Sequence, residues 1–302
     1  MTPEDYCHNL AAPLSSDFRY SLLGLPLARR QALCAIQAFC LETAQAMAEC
    51  RDPGVARTKL DWWRSELDKL FVGESRHPVT RALQPHLHLF NLPEEYFREI
   101  LDGVAMDLDY DAYPTFNELM LYLHRRGSVV ALLAAEVSGY RDRRATPRFA
   151  HEAGAALLLF EQLHDVRLHA RHGRFYFPED EMRRFGTHPG DLLAAQTTDR
   201  VRQLFAFQAE RIQEYHRRAL DYLPDGDRLD QCSLLIRLEL AMALLAEIAE
   251  DGYRLLEHRI SLTPLRKLWL AWRRRRGERR RFRRLPAREE TMFRSTLPDN
   301  LP

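Results

Sequence analysis

The sequence predicts an all-α protein, and three observations carry that expectation. Apolar residues recur at helical spacing, as in Leu60, Trp63, Leu67 and Leu70 at i, i+3, i+7 and i+10. Helix punctuation marks the segment ends, with Pro93 in a first turn and Thr115 with Glu118 spaced as a capping box. No segment alternates apolar and polar residues with the period of a strand. Repeats and Gly/Ser linkers are absent, so the 302 residues are read as one large domain with ample core.

In chain order, Leu33, Ile36, Ala38 and Phe39 set a helix over residues 26–50. The Leu60 stripe sets the next, over 55–72, and helices over 78–90 and 93–109 are divided by Asn91-Leu92-Pro93. From Thr115 a helix is expected to run to residue 137 and stop at Gly139. Residues 148–170 form the expected central helix, followed by an extended aromatic run at 173–178 and short turns at 178–185 and 191–196. The amphipathic segment 199–222 closes on Leu-Pro-Asp-Gly-Asp at 223–227, a turn cluster. Segment 228–258 is strongly apolar from 234 to 248, as suits the middle of a bundle. A last helix is expected over 262–284, and 286–302 reads as a loose tail. The organisation is thus a helical domain over 1–261, a basic Trp/Arg-rich helix over 262–285, and the tail.

Composition narrows the function classes. The net charge is +1, but residues 266–284 hold eleven Lys/Arg against one Glu, which leaves 33 basic and 42 acidic residues elsewhere. An acidic body with a basic end suggests a surface-binding appendage. Five scattered cysteines without CxxC spacing point to reduced thiols in a cytoplasmic setting rather than a disulfide framework or zinc finger. Glu4 and Asp5 near the start argue against a signal peptide, and no apolar run is long enough to span a bilayer.

The most loaded stretch is 157–178. At about 100° per residue, Glu161, Asp165, His169 and His172 share one helix stripe. Carboxylate and imidazole ligands suit Mn, Fe or Zn better than Mg, so Glu161, Asp165 and His169 are metal candidates. A charged face paired by Arg167 and Arg171 is the favoured alternative. Asp102, Asp107, Asp109 and Asp111 form a second acidic cluster, for which a structural role is expected. Trp62, Trp63 and Phe71 read as core.

Several segments together carry a family resemblance. They are Ser15-Ser16-Asp17-Phe18-Arg19-Tyr20 with Leu25-Pro26 and Arg30; Ala38-Phe39-Cys40; Asp61-Trp62-Trp63-Arg64; and His77-Pro78-Val79. Next come Asp102-Gly103 with Met106-Asp107-Leu108-Asp109; Tyr113 with Thr115-Phe116 and Glu118-Leu119; and Tyr122 with Arg125. The last are His164-Asp165-Val166 with Gly173-Arg174, Tyr176 and Pro178; and Arg266-Lys267-Leu268-Trp269. In this order the chain resembles the squalene/phytoene synthases, all-α isoprenoid synthases that join two prenyl diphosphates head to head. The resemblance implies a single-domain helical bundle around a central cavity. It also implies Mg²⁺ held between two facing acidic helices, to neutralise the diphosphates and absorb the leaving charge. Phe18, Tyr20, Tyr122, Arg125, Arg174 and Tyr176 fall on substrate-binding positions.

The chain departs from that pattern at both acidic motifs. Ala44, Gln45 and Ala48 stand where three aspartates belong, Leu41 stands at an arginine, and Glu42 alone keeps a carboxylate there. In the second motif Glu161 replaces Asn, His164 replaces Arg, Leu168 replaces Glu and His169 replaces Asp, so Asp165 alone survives. Glu42, Glu161 and Asp165 are therefore read as vestigial catalytic candidates, with no cofactor expected and Mg²⁺ only if the reaction persists. The expectation is a non-catalytic isoprenoid-binding or partner-binding protein at the inner face of a membrane, as in the branch of the family that serves respiratory complex I assembly. The alternative is an active prenyl transferase condensing two farnesyl or geranylgeranyl diphosphates. Residues 262–284, opening on Leu262 and closing on Arg284, carry Leu265, Leu268, Trp269 and Trp272 before their arginines. That pattern suits an anionic membrane surface first, a protein partner second and nucleic acid last.

Overall fold

The computed structural model describes residues 1–14, 16–48, 50 and 52–285, with backbone alone at 46–48. The expected tail at 286–302, Ser15 and the side chain of Ala48 lie outside the described residues. Fourteen α-helices run through them: α1 Pro3–Ala11, α2 Asp17–Ser21, α3 Leu27–Ala48, α4 Pro53–Phe71, α5 Pro78–Leu89, α6 Glu94–Asp109 and α7 Phe116–Leu123; then α8 Val129–Ser138, α9 Ala145–His164, α10 Val166–Arg171, α11 Glu179–Arg184, α12 Asp199–Tyr222, α13 Cys232–Glu250 and α14 Pro264–Phe282. One isolated bridge, Ala112 to Phe175, is the β pairing found among the described residues.

Two helices escaped the sequence reading. In α1, Thr2 accepts from the Asp5 N–H while the Asp5 carboxylate accepts from the Thr2 N–H, with Pro3 at the first helical position. Its buried Cys7 and Ala11 pack into the core, and α1 lies along α3 and α5. Short α2 starts on a Ser16 cap and docks on α13 and α14.

Two expected long helices are interrupted. Between α7 and α8, residues His124–Ser128 form a π-helical turn, which adds one residue to the winding. The expected central helix divides at Asp165, whose backbone (φ −100°, ψ 18°) leaves the helical region between α9 and α10. The stripe of Glu161, Asp165, His169 and His172 is therefore not the face of one helix.

Apolar burial organises the bundle into two clusters. One centres on α3, α4, α5, α6 and α8, with Phe39, Leu67, Phe97 and Leu133 fully buried. The other centres on α9, α12 and α13, with Leu163, Phe205 and Leu240 fully buried. Burying such side chains contributes roughly 1.5–3 kcal/mol each. Phe39 packs edge-on against Trp63 and Phe97, which bears out the core reading of Trp63, whereas Trp62 is 46% exposed. Where the clusters meet, the π-helical turn crosses α9 very closely. A Cβ on Gly127 would stand 2.6 Å from the Gly154 carbonyl oxygen, and one on Gly154 would stand 2.4 Å from that of Gly127, so hydrogen alone fits at both.

The basic C-terminal helix is part of this body. α14 packs on α13 and α2, and most of its cations are spent internally. Arg266 pairs with Glu247, Lys267 with Asp17 at 2.6 Å, Arg273 and Arg274 with Glu239, and Arg281 with Asp225 at 2.6 Å. Arg275 donates to the Gly24 carbonyl. Its Glu278 is buried against Arg228 in a two-pronged pair at 3.1 and 3.2 Å. Leu265, Leu268, Trp269 and Trp272 remain exposed, with Arg273 lying over Trp269 and Arg276 over Trp272. No described helix is long and apolar enough to cross a membrane.

Candidate active site

Polar side chains gather at the seam between the two apolar clusters. Arg126 and Gly127 from the π-helical turn, Glu161 from α9 and Arg237 from α13 line one recess with Val130, Ala131, Leu157 and Leu158. Local structure brings them there. The Gly127–Gly154 approach draws the turn onto α9, one helical stretch before Glu161. Gly103 on α6 leaves room for the Arg126 stem, since a Cβ there would meet the Arg126 Cδ at 2.7 Å. Arg237 is a lone cation on a largely buried helix and lies 5.6 Å over the Phe18 ring.

The electrostatics of the recess are unusual for a folded interior. Arg126 is deeply set, and its Nε and Nη1 have no hydrogen-bond partner. Burial opposes its charge, but Tyr122 and Asp107 nearby outweigh that and keep it firmly protonated. Burial pulls the Arg237 pKa down from the ordinary guanidinium range. Glu161 meets solvent within the recess yet is enclosed by protein, and burial raises its pKa, with Asp165 adding repulsion.

A second polar group adjoins the recess. Asp107 accepts from Tyr176 Oη at 2.8 Å and Tyr122 Oη at 3.2 Å, and the two rings stack with centroids 5.1 Å apart. Burial raises the Asp107 pKa and both tyrosine pKa values. His169 stands edge-on to Tyr176, and burial lowers its pKa, which favours the neutral ring.

The structure distributes the sequence candidates unevenly. Tyr122 and Tyr176 meet over Asp107, and Phe18 reaches the seam through Arg237. Arg125 instead turns to Glu99 at 2.8 Å in a groove between α6 and α7. Arg174 is held by Asp111 at 2.8 Å and by the Tyr110 carbonyl, so it fastens a loop. Tyr20 packs against the second apolar cluster. Glu42 accepts from Tyr6 of α1 and lies beside His77, not with Glu161. Asp165 binds Arg259 at 2.7 Å and His164 at 3.3 Å, and His172 contacts the Leu168 carbonyl. Of the other acidic cluster, Asp102 pairs with Arg64, Asp109 with Arg57 and Asp111 with Arg174, whereas Asp107 departs from the structural role expected of it and anchors Tyr122 and Tyr176 beside the recess.

These placements decide the fit of Mg²⁺. A divalent cation needs several oxygen ligands converging from both sides. On one side Leu41 and Ala44 offer none, and on the other Asp165 is already neutralised by Arg259 while Glu161 shares its recess with two guanidiniums. Among the described residues, no group of three or more His, Cys, Asp or Glu could hold a metal ion. The residues present do not fit a metal cluster, and Glu161, Asp165 and His169 do not form one.

Sequence reading missed Arg126 and Arg237, the two residues that give the recess its charge. The available signal was a single arginine within the apolar run 234–238 and a second one beside Gly127. Cations inside apolar helical stretches need a reason to be there.

Comparison with known proteins adds the relationships. Residues 11–266 match the sequence profile of the family described as squalene/phytoene synthase. A phytoene synthase of Arthrospira platensis is 31% identical over 224 residues, 70% of this chain and 72% of the relative. A 15-cis-phytoene synthase of Synechococcus elongatus is 29% identical over 87% of this chain and 89% of the relative. Among solved structures, a squalene synthase of Alicyclobacillus acidocaldarius superposes with a TM-score of 0.71 at 26% identity, over 83% of this chain and 95% of that one. A dehydrosqualene synthase with bound ligand shares the fold, with a TM-score of 0.78 at 20% identity over 92% of this chain and 97% of that one. The expectation of a non-catalytic binding or assembly protein, built on the altered acidic motifs, is overturned by these relatives, which are named as synthases over most of both lengths.

Proposed function

This chain belongs to the squalene/phytoene synthase family, and from that premise we propose that it is a prenyl transferase condensing two prenyl diphosphates, farnesyl or geranylgeranyl, with loss of two pyrophosphates and a proton into a phytoene-like product or, when a nicotinamide-type hydride donor replaces the proton loss, a squalene-like one. One observation carries the reading. The cationic recess lies at the seam of two apolar clusters, so a charged head bound there has apolar surroundings next to it. Leu157 and Leu158 supply apolar contact and Phe18 lies under Arg237, while Tyr122 and Tyr176, fixed by Asp107, place two hydroxyls near Arg126. Tyr113, Tyr122 and Tyr176 form a closely packed ring cluster next to these hydroxyls. Incubation with radiolabelled farnesyl or geranylgeranyl diphosphate, with Mg²⁺ and in parallel with EDTA, should yield pyrophosphate and an apolar product. No product from either substrate under either condition defeats the reading.

The exposed Leu265, Leu268, Trp269 and Trp272 beside Arg276 support attachment to an anionic membrane surface, where an apolar product would be delivered. Flotation with anionic liposomes should fail when Trp269 and Trp272 are both replaced by Ser. Equal flotation of the variant rejects the attachment.

A further inference from the structure

The mismatch between the recess and a metal cluster has a positive side. We propose that Arg126 and Arg237 form a metal-independent diphosphate subsite, in which two guanidiniums carry the charge that the absent acidic motifs would have assigned to bound cations. The inference deepens the prenyl-transferase reading and rests on it for the identity of the ligand as a prenyl diphosphate.

Four observations support the subsite. Arg126 keeps two buried N–H donors, Nε and Nη1, without any partner, an arrangement that costs stability unless an acceptor arrives. Guanidinium forks match phosphate oxygens two at a time, so a diphosphate is a natural occupant. Arg237, from a different helix, lines the same recess, and its cation already rests on Phe18, so it is oriented in advance. The recess has a cavity volume of about 40 Å³, well below that of a site for a whole ligand, so it has room for a compact anion head and none for a prenyl chain.

Glu161 tunes the subsite. It is the carboxyl group lining this recess, and ionised it opposes an incoming anion. Burial and the nearby Asp165 raise its pKa, which lowers the cost of protonating it. A bound diphosphate would push further in that direction, and the protonated Glu161 would then donate a hydrogen bond to a phosphate oxygen. The side chain would change from competitor to donor as the anion enters.

The test uses inorganic pyrophosphate as the probe and isothermal titration in EDTA, with sulfate as the control anion. Binding is expected without added metal. Arg126→Met and Arg237→Met should each weaken it at least tenfold, Arg126→Lys should retain part of it, and Glu161→Gln should tighten it. Thermal melts run alongside should show Arg126→Met as stable as the parent chain or more so, which separates lost binding from lost folding. Pyrophosphate binding that requires Mg²⁺, sulfate binding of equal strength, or full binding by a folded Arg126→Met protein would each overturn the subsite. The prenyl-transferase reading fails separately. Turnover that occurs only with Mg²⁺, with no metal-free binding, removes the subsite and leaves the reaction. Metal-free pyrophosphate binding without turnover of either prenyl diphosphate keeps the subsite and removes the reaction.

Discussion

The molecule holds two populations of arginine, one on α14 and one at the seam, and they behave oppositely. On α14, Arg266, Arg273, Arg274 and Arg281 each meet a carboxylate, and Arg275 meets a carbonyl with one nitrogen while its Nε has no partner. Across the interface, Arg228 closes on the buried Glu278. At the seam, Arg126 keeps unpartnered donors, and Arg237 faces the same recess. The sequence draws attention to the first group because it is dense. Chemistry attaches to the second because Arg126 and Arg237 converge on one recess, with two Arg126 donors unmet. Density of charge along a chain measures how many ion pairs a helix can make, whereas an unpaired buried charge marks a place where something else is meant to bind.

Breaking each kind of contact should expose the difference. The largest effect is expected at Arg228→Ala. Both partners are buried, with side chains 10% and 4% exposed, so truncation leaves the Glu278 carboxylate with Arg274 at 3.5 Å as its remaining cation and should cost about 3 kcal/mol, the low end for breaking a buried pair, read as a lower Tm and urea midpoint. A melt unchanged within error would show that α14 is docked by its apolar contacts alone.

A smaller effect with the opposite pH sense is expected at Glu161. Its folded pKa lies above the unfolded carboxylate value, so the folded state holds the proton more tightly. Stability should therefore fall as pH rises from the unfolded value through the folded one, with a slope bounded by about 1.4 kcal/mol per pH unit for one proton and reduced because the carboxyl meets solvent. Glu161→Gln should flatten that limb and leave the protein more stable than the parent at neutral pH. Glu66 offers the internal contrast. Burial alone would raise its pKa, but hydrogen bonds from the His77 N–H, the Thr80 hydroxyl and the Arg76 N–H together hold it below the usual value. Its contribution is present above the unfolded value and is lost as pH falls through the folded one. Parallel pH profiles of the parent chain and Glu161→Gln would refute this account of the seam.

Much of the fold was legible because long amphipathic periods and caps are local signals. The capped start at Thr115, the stripe of Leu60 to Leu70 and the amphipathic α12 were all set by their own sequence. The break at Asp165 was not, because it depends on Arg259 and on the His164 contact with the Ile260 carbonyl, nearly a hundred residues away. Short α1 was hidden by its length, although Thr2 and Asp5 spelled its cap. The site divided in the same way. Tyr122, Tyr176 and Phe18 could be named from family positions. Arg126 and Arg237 could not, because what distinguishes them is a shared recess formed by two helices far apart in sequence and, for Arg126, two donors left without a partner. The altered acidic motifs misled in one respect: they described the loss of one way of holding a diphosphate and were read as the loss of the reaction.

The π-helical turn at His124–Ser128 works as an indexing step. A helix advances about 100° per residue, so one residue taken up in a wider turn rotates everything after it by that amount. Arg125 is left against Glu99 outside, Arg126 faces the seam, and Gly127 is delivered against α9. Which arginine enters the interior is thus a matter of phase as much as of composition. Two adjacent, chemically identical side chains are sorted into a strut and a binding group by a single residue of extra winding.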